Sequence, residues 1–176
     1  MAVSTLVATA GAANANSYIT LADADQYHED RPAAGTTWAD ATSDEKNAAL
    51  LFATKMLDSL VVWTGWVATE TQALLWPRTG MVYRNGYSVD TDVVPTEIQE
   101  ATAEFARQLL AGDLTGGSDV ETQGITSIKA GSVAITFDQA YVQSKVLPDL
   151  AMYYLPSSWY SSISGSESNT RELMRA

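Results

Sequence analysis

The sequence predicts a mainly α protein, a small helical bundle with one or two short β hairpins and extended N- and C-terminal arms. Three features predict it. Thr42-Ser43-Asp44-Glu45 stands as a capping box before a run of apolar residues spaced three and four apart. Pro95 and Gly112 bracket a second such run as a helix start and stop. Strict alternation is confined to a short stretch, Val133, Ile135 and Phe137, behind a turn. With 176 residues, 46% hydrophobic and 18% charged, the chain suffices for one domain with a core.

Residues 1–16 are rich in Ala, Thr, Gly and Asn without a period, and read as an arm or a single edge strand around residues 4–8. Thr20 caps a short acidic helix over residues 21–31, which ends before Pro32. Gly35, Thr36 and Thr37 make a turn, Trp38 begins a second element, and the capping box opens the helix of residues 44–62. Ala49, Phe52, Ala53, Met56, Leu60 and Trp63 mark its core stripe. Residues 69–76 suggest a brief helical turn before Pro77. In the loop beyond, Tyr83-Arg84-Asn85-Gly86-Tyr87 carries an Asn-Gly pair suited to a two-residue hairpin turn. The helix after Pro95 places Ile98, Ala101, Phe105 and Leu109 on one face. A loop over residues 113–124 leads to the hairpin of residues 125–137. Pro148 starts a last helix, Pro156 ends it, and the Ser-rich stretch 161–169 opens a tail. The division is therefore an arm (1–16), a helical body (17–160) with an inserted loop or hairpin at 77–94 and a hairpin at 125–137, and a flexible tail (161–176).

Composition and motifs disfavour several functions. Ten basic against twenty-one acidic residues give a formal charge of -11, the reverse of the footprint that phosphate-backbone binding calls for, and the basic residues are scattered singly. The absence of cysteine removes thiolate chemistry and fits a reducing cytoplasm. No run has the length of a membrane span, so no membrane partner is expected. His28 is the sole histidine and has no nucleophile elbow with it. Asp23, Asp25, Glu29 and Asp30, like Asp90 and Asp92, lack a calcium-loop pattern, and acids at a helix start need no metal to explain them. Gly80, Gly116 and Gly117 lack a phosphate-cradle context. The expectation is no enzyme, no catalytic residue, no cofactor and no metal.

What remains is a set of aromatic residues outside the helical stripes: Trp76, Tyr83 and Tyr87 in the loop, and Tyr153, Tyr154, Trp159 and Tyr160 near the end. Protein interfaces are enriched in Tyr and Trp without the basic neighbours that base-stacking grooves require. With Arg78, Arg84 and the tail residues Arg171, Leu173, Met174 and Arg175, the residues Trp76, Tyr83, Tyr87, Trp159 and Tyr160 form the expected contact set.

Several blocks resemble a phage protein family sometimes labelled DnaT-like. They are residues 16–27 (Asn-Ser-Tyr-Ile-Thr-Leu-Ala-Asp-Ala-Asp-Gln-Tyr), Trp38 with Asp44-Glu45-Lys46, Leu75-Trp76-Pro77-Arg78-Thr79-Gly80, and Pro95-Thr96-Glu97-Ile98. The match covers about residues 14–115, and the Trp-Pro-Arg-Thr-Gly block is its most specific part. Such blocks are similar to those of small head-to-tail connectors encoded near portal and capsid genes. The resemblance implies a virion structural protein of the neck, assembled in the host cytoplasm as a homo-oligomeric ring of about twelve copies. Its partners would be the portal ring and a tail, head-completion or stopper protein, with DNA passing through the channel without specific binding. Two other readings stand beside it: a single-stranded DNA binding or replication accessory protein, and an acidic enzyme such as a cell-wall hydrolase.

Overall fold

The computed structural model describes residues 3–31, 36–112, 127–130, 133–136 and 147–163. The mainly α class holds: the described residues form five helices joined by three two-stranded antiparallel sheets.

Helix α1 (Leu21–Asp30) starts as the sequence predicts, with the Thr20 hydroxyl accepting from the Asp23 amide at 3.1 Å. The single turn α2 (Thr37–Asp40) buries Trp38, whose indole donates to Asp25 at 2.8 Å. Helix α3 (Ser43–Leu60) has the full capping box: Glu45 N donates to the Thr42 hydroxyl, and Thr42 N to the Glu45 carboxylate. Its core face is turned from the expected one. Ala49, Leu50, Ala53, Thr54 and Leu57 are buried, whereas Phe52 is 40% exposed and Met56 and Leu60 are only partly covered. The helix stops at Leu60, short of the expected residue 62, because Val61–Trp63 forms strand β1, with a β-branched pair at its start.

Strand β1 pairs with β6 (Tyr160–Ile163), with Val61 opposite Ile163 and Trp63 opposite Tyr160. This corrects the tail boundary at residue 161: residues 161–163 belong to the body. Strand β2 (Trp66–Val67) pairs with β3 (Arg78–Thr79). The segment between them is not helical; the Gln72 side chain organises it by accepting from Thr69 N and donating to the carbonyls of Leu74 and Pro77. The loop after β3 makes one bridge, Val82 to Ser88. Tyr83 N donates to Tyr87 O, and Gly86 N to Tyr83 O, with Gly86 at φ +89°. That is a three-residue turn with glycine at the left-handed position, not the expected two-residue turn.

Helix α4 (Thr96–Ala111) runs between Pro95 and Gly112 as predicted and packs along α3. Strands β4 (Ser127–Ala130) and β5 (Val133–Thr136) form the expected hairpin. Helix α5 (Asp149–Tyr154) follows Pro148 and packs against α4, and a 3-10 turn (Ser157–Trp159) leads into β6. The turn at Gly35, the loop 113–124, the hairpin turn at Gly131 and the tail from residue 164 lie outside the described residues.

The N-terminal stretch is neither a strand nor free. Asn16 holds it in a loop, accepting from Val7 N at 2.7 Å and donating to Thr5 O at 2.9 Å, while Leu6 and Ala10 pack on the core.

Candidate interaction surface

The Leu75-Trp76-Pro77-Arg78 block forms the centre of the fold. Trp76 is 1% exposed and its ring lies 5.6 Å from that of Trp63 and 5.0 Å from that of Trp159; Tyr83 extends the stack, 5.8 Å from Trp159. The Trp76-Pro77 peptide is cis. Arg78, buried, donates through Nε to Thr64 O (2.8 Å), through Nη1 to Leu75 O (3.0 Å) and through Nη2 to Gly65 O (2.9 Å). One guanidinium thereby ties β3 to the β1–β2 turn and to the loop before it. Gly65 is required there: at φ +65°, a Cβ would stand 2.3 Å from Thr79 O.

This placement corrects part of the expected contact set. Trp76, Arg78 and Trp159 are internal, and Tyr83 is half-buried against Trp159, because three distant segments supply one aromatic core that no local period reveals. The Arg78 guanidinium is satisfied within the fold by three backbone carbonyls. Arg84 lies at the surface but is spent on the end of α5, donating to Tyr153 O at 2.9 Å. Tyr160 is partly covered in β6, and Arg171, Leu173, Met174 and Arg175 lie outside the described residues.

Of the expected contacts, Tyr87 is openly presented, at 75% exposure. Beside it the sequence missed Trp66, 79% exposed, and it had grouped Tyr153, 72% exposed, with the aromatic residues of the end without choosing it. Val62, Val67 and Val82 add exposed apolar area. The segments that carry these side chains are neighbours: Arg84 joins the 83–87 turn to α5, the Trp159 indole donates to Val82 O at 2.7 Å, and Thr64 donates to Ser158 O at 2.9 Å. The available signal for Trp66 was its position directly after Gly65, on a strand of two residues too short to bury both faces.

Cations are few on the described surface. Arg31 and Arg107 both meet Glu104, Lys46 meets Asp25 at 2.8 Å, Arg78 is internal and Arg84 caps α5. Lys55 is exposed on α3, three residues from the exposed Phe52, and borders a depression lined by Asn16, Asp58 and Leu74. Glu104 has no exposed side-chain surface, and it also accepts from the Tyr27 hydroxyl at 2.9 Å, which links α1, α4 and, through Tyr154, α5. His28 is buried between Tyr27 and Trp38 and contacts Ala103 O at 3.2 Å; burial lowers its pKa to about 4. Among the described residues no group of three or more His, Asp or Glu is arranged to hold a metal ion, and no helix is long and apolar enough to cross a membrane.

The class the fold defines is a helix-rich domain with an aromatic core and several large apolar side chains left exposed. The chain belongs to the family described as "Putative DnaT-like ssDNA binding protein", whose model matches residues 5–170. No curated protein and no solved structure matches it.

Proposed function

We propose that this chain is a structural subunit of a tailed-bacteriophage particle, a head-to-tail adaptor that assembles as a ring beneath the portal. The observation that carries the reading is the exposed set Trp66, Tyr87 and Tyr153 with Val62, Val67 and Val82, on a chain of formal charge -11 whose described cations are mostly bound internally. Large apolar side chains at such exposure suit burial against protein, where rigid aromatic groups contribute most of the contact energy. A negative surface suits a channel wall that lets DNA slide without sticking, since like charges repel within a Debye length of about 8–10 Å. The resemblance of the Trp-Pro-Arg-Thr-Gly block to connector proteins supports the portal ring and neighbouring copies as the partners.

A second reading, single-stranded DNA binding, is favoured by the family's description. In the described surface it has one place with the needed chemistry, Phe52 for stacking beside Lys55 for phosphate. The test is the mass of the purified protein, alone, with its phage's portal ring, and with a single-stranded oligonucleotide at physiological salt, by light scattering after size exclusion. Joining the portal in about twelve copies supports the adaptor. Ignoring the portal while binding the oligonucleotide overturns it in favour of the second reading.

A further inference from the structure

Along one side of α1 runs a groove that the adaptor reading does not use. Two adjoining depressions, about 530 and 240 Å³, share Ile19, Asp23 and Gln99, and so form one trough between α1, the start of α4 and the N-terminal stretch. Its apolar wall is made by Ile19, Tyr27, Tyr154 and Val93. Its charge is one-sided. Asp23 and Asp30 accept only from the neutral groups of Thr20 and Gln26, Glu100 is raised in pKa by burial and by Glu97, and Asp92 stands at the far end. The cation in the wall, Arg31, is already held by Glu104. A ligand that fits is a short segment carrying arginines beside flexible apolar side chains.

This chain contains one: Arg171-Glu172-Leu173-Met174-Arg175, with arginines four apart and an apolar pair between. We propose that segment 170–176 docks in the α1–α4 trough of its own chain, its arginines facing Asp23, Asp30 and Glu100 and Leu173 and Met174 against Tyr27 and Tyr154. Reach permits it. Arg84 at Leu155 and the Trp159 indole at Val82 keep residues 155 and 159 beside the same turn, near Tyr154. Strand β6 adds four residues, about 10 Å, and the eight residues from Ile163 to Arg171 extend up to about 27 Å. Tethering then gives an effective concentration near the millimolar range, which favours the chain's own segment over a neighbour's.

Because the chain has no cysteine, a disulfide trap reads this directly. Gln26→Cys in the exposed trough wall is combined with Met174→Cys in dilute full-length protein, and Lys55→Cys with Met174→Cys is the control, since Lys55 is exposed on α3 and lines a separate depression. The expected result is an intramolecular disulfide forming at least about threefold faster in the trough pair, slowed by salt and by Arg171→Glu with Arg175→Glu, and restored when Glu100→Lys is added. Equal rates for the two pairs, or a rate indifferent to these charges, overturn the docking. Disulfide-linked dimers in place of the intramolecular product overturn its assignment to the same chain. None of these outcomes depends on portal binding, so the adaptor reading stands or falls separately.

Discussion

Arg31 Nε lies 2.8 Å from Oε1 of Glu104, a carboxylate with no exposed side-chain surface. Arg107 holds the other oxygen at 3.1 Å, and the Tyr27 hydroxyl completes the set. The pair joins the end of α1 to the middle of α4, so its removal strands charge inside the bundle. Glu104→Gln keeps the shape but leaves two guanidinium groups facing a neutral amide. Since both arginines retain some solvent contact, the expected loss is about 3 kcal/mol, at the low end for breaking a buried pair, read from urea unfolding midpoints. A loss below about 0.5 kcal/mol would mean that water replaces the carboxylate without cost.

Arg78 tests how the cis Trp76-Pro77 turn is held. Its fork satisfies three carbonyls at once, and a lysine has neither the planar donors nor the reach to all three. Arg78→Lys is expected to cost about 2 kcal/mol, and Arg78→Ala about 3 kcal/mol or more, as buried acceptors lose their donors. If lysine restored full stability, charge near Asp58 would matter more than the fork.

The capping box shows how far local sequence reaches. Thr42 and Glu45 were legible because a cap is a contact between residues three apart, and Thr42→Ala should cost about 1 kcal/mol in thermal or urea unfolding. Pro95, Gly112 and Pro148 were legible for the same reason. The β1–β6 pair was not, since Trp63 and Tyr160 are joined by strand pairing across most of the chain and each strand is too short to show a period. Nor was the fate of the aromatic residues: Trp76 and Trp159 have the same local look as Trp66, yet only tertiary packing makes the first two core and leaves the third exposed. Tyr87 is exposed, and so is Trp66, which no local feature of the sequence distinguishes from the buried tryptophans.

His28 predicts an acid sensitivity whose sign follows from its surroundings. Nε2 faces the Ala103 carbonyl, so the neutral ring donates there, while Nδ1 is buried without a partner. A second proton would be put on an atom with no acceptor, beside Arg31 and Arg107, and Glu104 opposes this only in part. The folded pKa is lowered from 6.5 to about 4, so the unfolded chain takes up the proton first as pH falls. The stabilisation is complete above pH 6.5 and is lost between there and about pH 4. Asp58 and Glu100, raised by burial, act in the opposite sense, so the clean measurement is the difference from His28→Gln. Relative to that variant, the wild type should lose about 2 kcal/mol between pH 7 and pH 4. A pH-independent difference would place the imidazole in contact with water.

Trp66, Tyr87 and Tyr153 stand exposed on the folded chain. They contribute little to the core of one chain, so replacing all three with serine should change the unfolding free energy by less than about 1 kcal/mol. Under the adaptor reading the same variant loses most of its association with the portal ring or with neighbouring copies, because rigid aromatic groups at an interface centre each contribute about 2 kcal/mol or more. Light scattering of the variant beside the wild type, at matched concentration and with both shown folded by circular dichroism, reads the two effects independently. A variant that still joins the portal with wild-type stoichiometry would move the contact surface elsewhere, whereas a variant that fails to fold would show that these side chains are covered within the chain.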